Sequence, residues 1–161
     1  MLTWAPGAKI TDQKLNDYWW SADNDNPGLG PSGTVDLGDG GTAVGRYHKV
    51  GTQVHWSLKV TFGTDPSISE LTFTLPAPAL ALAGSTTGHD VVGTWVMFGA
   101  DGSTWSGAVA VPAGGDGAEA VFAGAWDGTA PAARIDGTHP IAPDTGVVLT
   151  ASGVYEATPD D

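Results

Sequence analysis

Between Val54 and Phe62 apolar and polar residues alternate without a break, with Val54, Trp56, Leu58, Val60 and Phe62 set against His55, Ser57, Lys59 and Thr61. A period of two puts the first set on one face of an extended strand and the second on the other. In a helix the same residues would be spread around the axis, leaving no face to bury. The chain therefore contains a long strand with one apolar face, and that face needs a second layer to cover it. Upstream, Arg46 to Val50 reads as a partner strand, joined through the Gly-containing turn Val50-Gly51-Thr52-Gln53. Downstream, Gly63 to Ser69 is rich in turn residues, and Leu71, Phe73 and Leu75 alternate with Thr72 and Thr74 until Pro76 ends the run. Residues 45 to 76 are thus expected to form a meander of three antiparallel strands.

The same signals recur along the chain. Val91 to Phe98 and Thr104 to Val111 flank Gly99-Ala100-Asp101-Gly102 and read as a second hairpin. Ala118 to Phe122 adds a strand, Ala123 to Thr145 reads mostly as loop, and Gly146 to Ala157 reads as a closing strand with a bulge or bend at Gly153. A short strand is also expected around Val35 and Leu37. With 24 Gly and 11 Pro, and no amphipathic helical pattern beyond Trp20, the chain suits short strands and turns. The expected fold is all-β, an antiparallel β-sandwich of jelly-roll type, preceded by a short N-terminal helix or docking segment. The expected division is residues 1–20 as the docking segment and residues 21–161 as the sandwich domain.

In the first segment Thr11 is a plausible N-cap, Asp12 lies in the first helical turn, and Leu15, Tyr18 and Trp19 share one side. A helix of about 9 residues is not stable alone, so it must dock on its own sheet or on a neighbour. Ile10, Leu15, Tyr18 and Trp19 are the expected docking residues. The Asp23-Asn24-Asp25-Asn26 cluster invites a calcium reading. Pro27 and the lack of a correctly spaced Glu break the helix-loop-helix calcium pattern, so a solvated turn is expected.

The net charge of −12 is uneven. Through Lys59 there are five basic and six acidic residues; beyond it Arg134 alone faces twelve acidic ones. A surface this anionic repels phosphate backbones and anionic lipid, so nucleic-acid and membrane partners are not expected. No apolar run approaches the ~20 residues that span a bilayer, and no secretory signal is expected at Met1. The lack of Cys excludes disulfides, thiolate zinc sites and thiol catalysis.

No nucleophile elbow, phosphate loop, dinucleotide fingerprint or paired-His zinc motif occurs, and neither enzyme activity nor a cofactor is expected. His48 and His55 approach each other across the Gly51 turn as an exposed cross-strand pair or a two-His metal site. Trp56 belongs to the buried stripe. Trp105 and Trp126 lie beside Gly and Asp loops, where they either pack inward or stack on a sugar ring.

The run Gly45-Arg46-Tyr47-His48-Lys49-Val50-Gly51 into an alternating strand, then Phe62-Gly63, Leu75-Pro76 and the closing Gly153-Val154-Tyr155-Glu156-Ala157, resembles a domain of minor tail, tail-fibre and related virion proteins of actinobacterial phages. Pro6-Gly7 through Ile10-Thr11 to Leu15-Asn16 is similar to their N-terminal segment. The resemblance implies a rigid β module on a virion tail or capsid surface, made in the host cytoplasm, often homotrimeric, with assembly or host attachment as its task. It implies other virion proteins as partners through the N-terminal segment, and no catalytic residues. Capsid decoration or a head fibre is the alternative placement, and a module binding host cell-wall glycan the alternative function.

Overall fold

A computed structural model describes residues 35–80, 90–112, 119–124 and 133–158. Their strands are β1 (Thr42–Val50), β2 (Gln53–Thr61), β3 (Thr72–Thr74), β4 (Asp90–Phe98), β5 (Thr104–Val111), β6 (Glu119–Gly124), β7 (Ala133–Arg134) and β8 (Val148–Glu156). All belong to one antiparallel sheet in the order β1-β2-β8-β4-β5-β6-β3, and β7 shares with β3 the outer edge of β6. The described residues are all-β and contain no helix.

The expected hairpin is present. Val50 pairs with Gln53 and Thr42 with Thr61, so β1 and β2 run the full length of each other around Gly51-Thr52. Gly51 takes φ +61°, the left-handed conformation a two-residue hairpin turn needs and a side chain resists. Alternation in β2 is realised residue by residue: Val54, Trp56, Leu58 and Val60 are buried while Gln53, His55, Ser57 and Lys59 are exposed. The second hairpin, β4 to β5, also forms as expected, closed by the Gly99 N–H to Ser103 carbonyl bond at 2.8 Å. Near Val35 and Leu37 the chain makes isolated bridges, Asp36 to Ser67 and Asp39 to Thr64.

Two expectations fail, one about strand order and one about the place of an irregularity. The residues read as the third meander strand do form β3, but it pairs with β6, Phe73 lying opposite Ala120, and not with β2. The free edge of β2 is occupied over its whole length by β8, from Gln53 with Glu156 to Thr61 with Val148. The strand that closes the sequence is therefore central in the sheet, flanked by β2 and β4. The irregularity expected at Gly153 lies instead on the neighbouring strand, where the β4–β5 register shifts between Val91 and Gly93.

Because the sheet curls into a half-barrel, β3 at one end faces β2 near the other. The Phe73 ring centroid lies 5.1 Å from that of Trp56 and 5.2 Å from that of Phe122, both tilted contacts. Around this trio Leu71, Met97, Val109, Ile135 and Leu149 are fully or almost fully buried. Each such side chain stabilises the fold by about 1.5–3 kcal/mol through removal from water.

Two indoles share one local solution. Trp56 Nε1 donates to the Val92 carbonyl at 3.1 Å and Trp95 Nε1 to the Ala123 carbonyl at 3.0 Å, so neither buried N–H is left unpaired. Both rings lie across strand glycines, Trp56 over Gly93 two strands away on β4 and Trp95 over Gly107 on the adjacent β5: a β-carbon on Gly93 would meet Trp56 Cζ2 at 2.6 Å, and one on Gly107 would meet Trp95 Nε1 at 2.8 Å. The missing side chains make the ring positions, which is a role strand glycines often have.

At the end of β8, Tyr155 Oη donates to the Ala77 carbonyl at 2.7 Å and accepts from the Ala77 N–H at 3.3 Å, tying residues 77–80 to the sheet. Burial pushes the phenol up to about 12 from 10.0, against a smaller downward effect of its bond to Ala77. The unfolded chain gives up this proton near 10.0 and the folded chain near 12, so above 10.0 the unfolded state binds fewer protons. Tyr155 therefore contributes stability that is intact below pH 10.0 and is lost as the pH rises toward about 12. Tyr155→Phe is expected to cost about 1–2 kcal/mol at neutral pH and to flatten that part of the alkaline stability profile, as read by urea titrations at several pH values.

Candidate functional site

The polar phase of the alternation builds the outer face of the sheet, opposite the aromatic core. Side by side on β1, β2, β8 and β4, the register aligns Arg46, Ser57, Ser152 and Thr94 in one row and Val44, Lys59, Thr150 and Val96 in the next. These two rows line a concave depression of about 530 Å³. That volume lies within the range of about 300–1,000 Å³ usual for small-molecule sites. Thr150 Oγ1 donates to the Val96 carbonyl at 3.5 Å, which orients its hydroxyl across the floor.

Carboxylates are sparse on the described strands of this face. Strands β1, β2 and β8 carry one carboxylate, Glu156, set opposite Gln53 at the far end of the register. It is four residues along β8 from Ser152, about 13 Å of strand, which exceeds the screening length of about 8 Å in physiological salt. On β4 the carboxylate is Asp90, at the strand's first residue and opposite Val111. Arg46 and Lys59 occupy diagonal cross-strand positions, roughly 7 Å apart at the backbone. Within the described strands, Arg46 and Lys59 thus flank a hollow lined by both hydroxyl and apolar side chains, in a chain of net charge −12.

His48 and His55 are directly opposite in the β1–β2 register and both are exposed, one row from Arg46 and Ser57. Among the described residues no three His, Asp or Glu side chains come together in a way that could hold a metal ion.

Among the described residues a Thr/His/Asp grouping occurs in the loop after β7. Asp136 Oδ1 accepts from the Thr138 N–H at 2.6 Å, the Thr138 hydroxyl at 2.8 Å and the His139 N–H at 2.8 Å. Partial burial works against ionisation of Asp136, but these bonds outweigh it and hold the carboxyl below its usual range. The hydroxyl and the carboxylate both approach the same ring nitrogen, His139 Nδ1, at 2.8 and 3.4 Å. A proton relay needs them on opposite nitrogens. The arrangement is a side-chain-stapled turn.

Trp105 is half-buried against the core, opposite Met97. A β-carbon on Gly99 would lie 3.2 Å from its ring. The adjacent Asp101 accepts from the Ser103 hydroxyl and backbone N–H, which lower its pKa. Ile10, Leu15, Tyr18, Trp19 and Trp126 lie outside the described residues, as does the Asp23 to Asn26 cluster. The residues of the hollow were not singled out by motif. Their signal was the polar half of the β2 alternation, and it became a site only when β8 and β4 were placed beside it. No known protein family, no curated protein and no solved structure matches this chain.

Proposed function

We propose that this chain is a non-enzymatic structural module of a phage virion, acting as a minor tail or tail-fibre-like appendage in assembly or host attachment, and assembling as a homotrimer. The observation that carries the reading is the convergence of the resembling motifs. Tyr47, Trp56 and Gly153 share one register line, His48, His55 and Val154 the next, and Lys49, Val54 and Tyr155 the third. Fragments about a hundred residues apart in sequence thus make one three-stranded patch, as expected of parts of a single inherited module. The two walls of the half-barrel, Trp56 on one and Phe73 with Phe122 on the other, act in this reading as the layers of a compressed jelly-roll sandwich.

In this proposal residues 1–20 dock the module on its virion partner and the sheet faces outward. Removing residues 1–20 is expected to leave the thermal melt of the sheet within a few degrees of the full chain while abolishing incorporation, measured by quantitative mass spectrometry of purified particles. Normal incorporation of the truncated chain, or absence of the full chain from particles, overturns the proposal. Labelling of particles in electron micrographs separates a tail appendage from capsid decoration or a head fibre.

A second reading, a carbohydrate-binding module, is favoured by a different observation: the hollow of sugar-sized volume on the outer face, lined by both hydroxyl and apolar side chains.

A further inference from the structure

We propose that the hollow across β1, β2, β8 and β4 binds an acidic saccharide, a sugar polymer whose rings carry carboxylates, with Lys59 taking the carboxylate and Ser57, Ser152 and Thr94 the ring hydroxyls. The inference rests on the carbohydrate-binding reading and adds to it the site and the ligand's charge.

Three features select this occupant. The first is charge complementarity. A protein of net charge −12 repels anions in general, yet here the exposed Lys59 lies within β2 on the outer face, with the carboxylates of the four described strands set at strand ends. The second is lining chemistry. Hydroxyl side chains donate and accept, which suits the vicinal hydroxyls of a sugar, and Val44 and Val96 supply aliphatic surface for the ring's C–H face. The third is shape. Protein interfaces are anchored by aromatic residues and bury roughly 800 Å² per partner, whereas the two rows of this hollow carry no outward aromatic, the exposed Phe98 beginning the next row and Trp95 lining the floor from the core side. A peptide strand would add to a sheet edge, and this site is a sheet face.

The geometry also limits binding to a short piece of polymer. Two rows spaced by two residues extend about 7 Å along the strands, and four strands about 14 Å across them. That footprint holds two or three sugar rings laid across the strands, which puts one carboxylate beside Lys59.

The test uses the full chain and three probes at the same ionic strength: a galacturonic acid trisaccharide, its neutral methyl ester, and inorganic polyphosphate. Calorimetry and amide shift mapping are the readouts. The expected result is binding of the acid with shifts centred on Lys59, Thr150 and Ser152, at least tenfold weaker binding of the ester, and at least tenfold loss in Lys59→Gln. Arg134→Gln removes the same unit of charge from β7, away from the hollow, and is expected to leave the affinity within about twofold. Equal binding of acid and ester overturns the charge assignment while the carbohydrate reading survives. Binding of neither overturns both. Equal losses in Lys59→Gln and Arg134→Gln, or tight binding of polyphosphate alone, also overturn the inference.

Discussion

Gly153→Ala is expected to lower the melting temperature by roughly 6–12 °C, about 3 kcal/mol, although it adds a single methyl group to a strand. Gly153 lies on β8, in the middle of the sheet, opposite Trp56 on β2. A β-carbon there would overlap the Val92 carbonyl oxygen and come within 2.6 Å of the Gly93 α-carbon. Both neighbours are backbone, so no rotamer change relieves the overlap. Moving β4 away would break the bond from Trp56 Nε1 to that same Val92 carbonyl, and the strain would pass directly into the core. Gly51→Ala provides the scale. It has nothing within 4 Å of the added carbon and suffers only the φ +61° conformation, a cost of about 1–2 kcal/mol. Differential scanning calorimetry of the two variants compares them directly. A Gly153→Ala melt within 2 °C of the parent, using the scale of roughly 2–4 °C per kcal/mol, would falsify the close-approach account.

The same site shows how far the sequence could be read. Gly153 stands out in an apolar run, and a strand glycine signals a bulge or a close approach without saying which. The choice depends on β4, whose register shift at Val91/Gly93 brings the Val92 carbonyl to this point. More generally, each strand with a strong alternation was legible from local sequence, because periodicity is a property of neighbours along the chain. Partnership is not. Leu71 to Leu75 has the same alternation whether it pairs with β2 or with β6. What decides is that the nine residues of β8 satisfy the edge of β2 completely, while Phe73 gains Trp56 and Phe122 from the opposite wall. The outer-face hollow has the same origin. Ser57 and Lys59 were visible as the polar phase of one strand, but Ser152 and Thr94 became their neighbours only through pairings between segments about forty to a hundred residues apart. Trp105, by contrast, was legible only as an aromatic beside a turn, and its half-buried position over Gly99 follows from the hairpin geometry.

Trp56→Ala is expected to be the most damaging single side-chain truncation in the described sheet, costing about 4–6 kcal/mol. It removes the ring that joins the two walls of the half-barrel through Phe73, opens a void above Gly93, and leaves the Val92 carbonyl without its indole donor. Since domains are stable by only about 5–15 kcal/mol, the variant should be largely unfolded in urea concentrations the parent tolerates. Trp56→Phe divides the effect. It keeps an aromatic ring against Phe73 but has no N–H, so its cost should be about 1–3 kcal/mol, from the orphaned carbonyl and the smaller ring. Urea midpoints for both variants, with near-ultraviolet circular dichroism to report packing, give the comparison. If Phe costs as much as Ala, the hydrogen bond outweighs the packing. If both cost less than about 1 kcal/mol, β3 must be held over β2 by something other than this indole, and the half-barrel is closed from the β6 side through Phe122 and Ile135, whose N–H bonds the Phe122 carbonyl at 3.1 Å and whose carbonyl receives the Leu71 N–H at 2.8 Å.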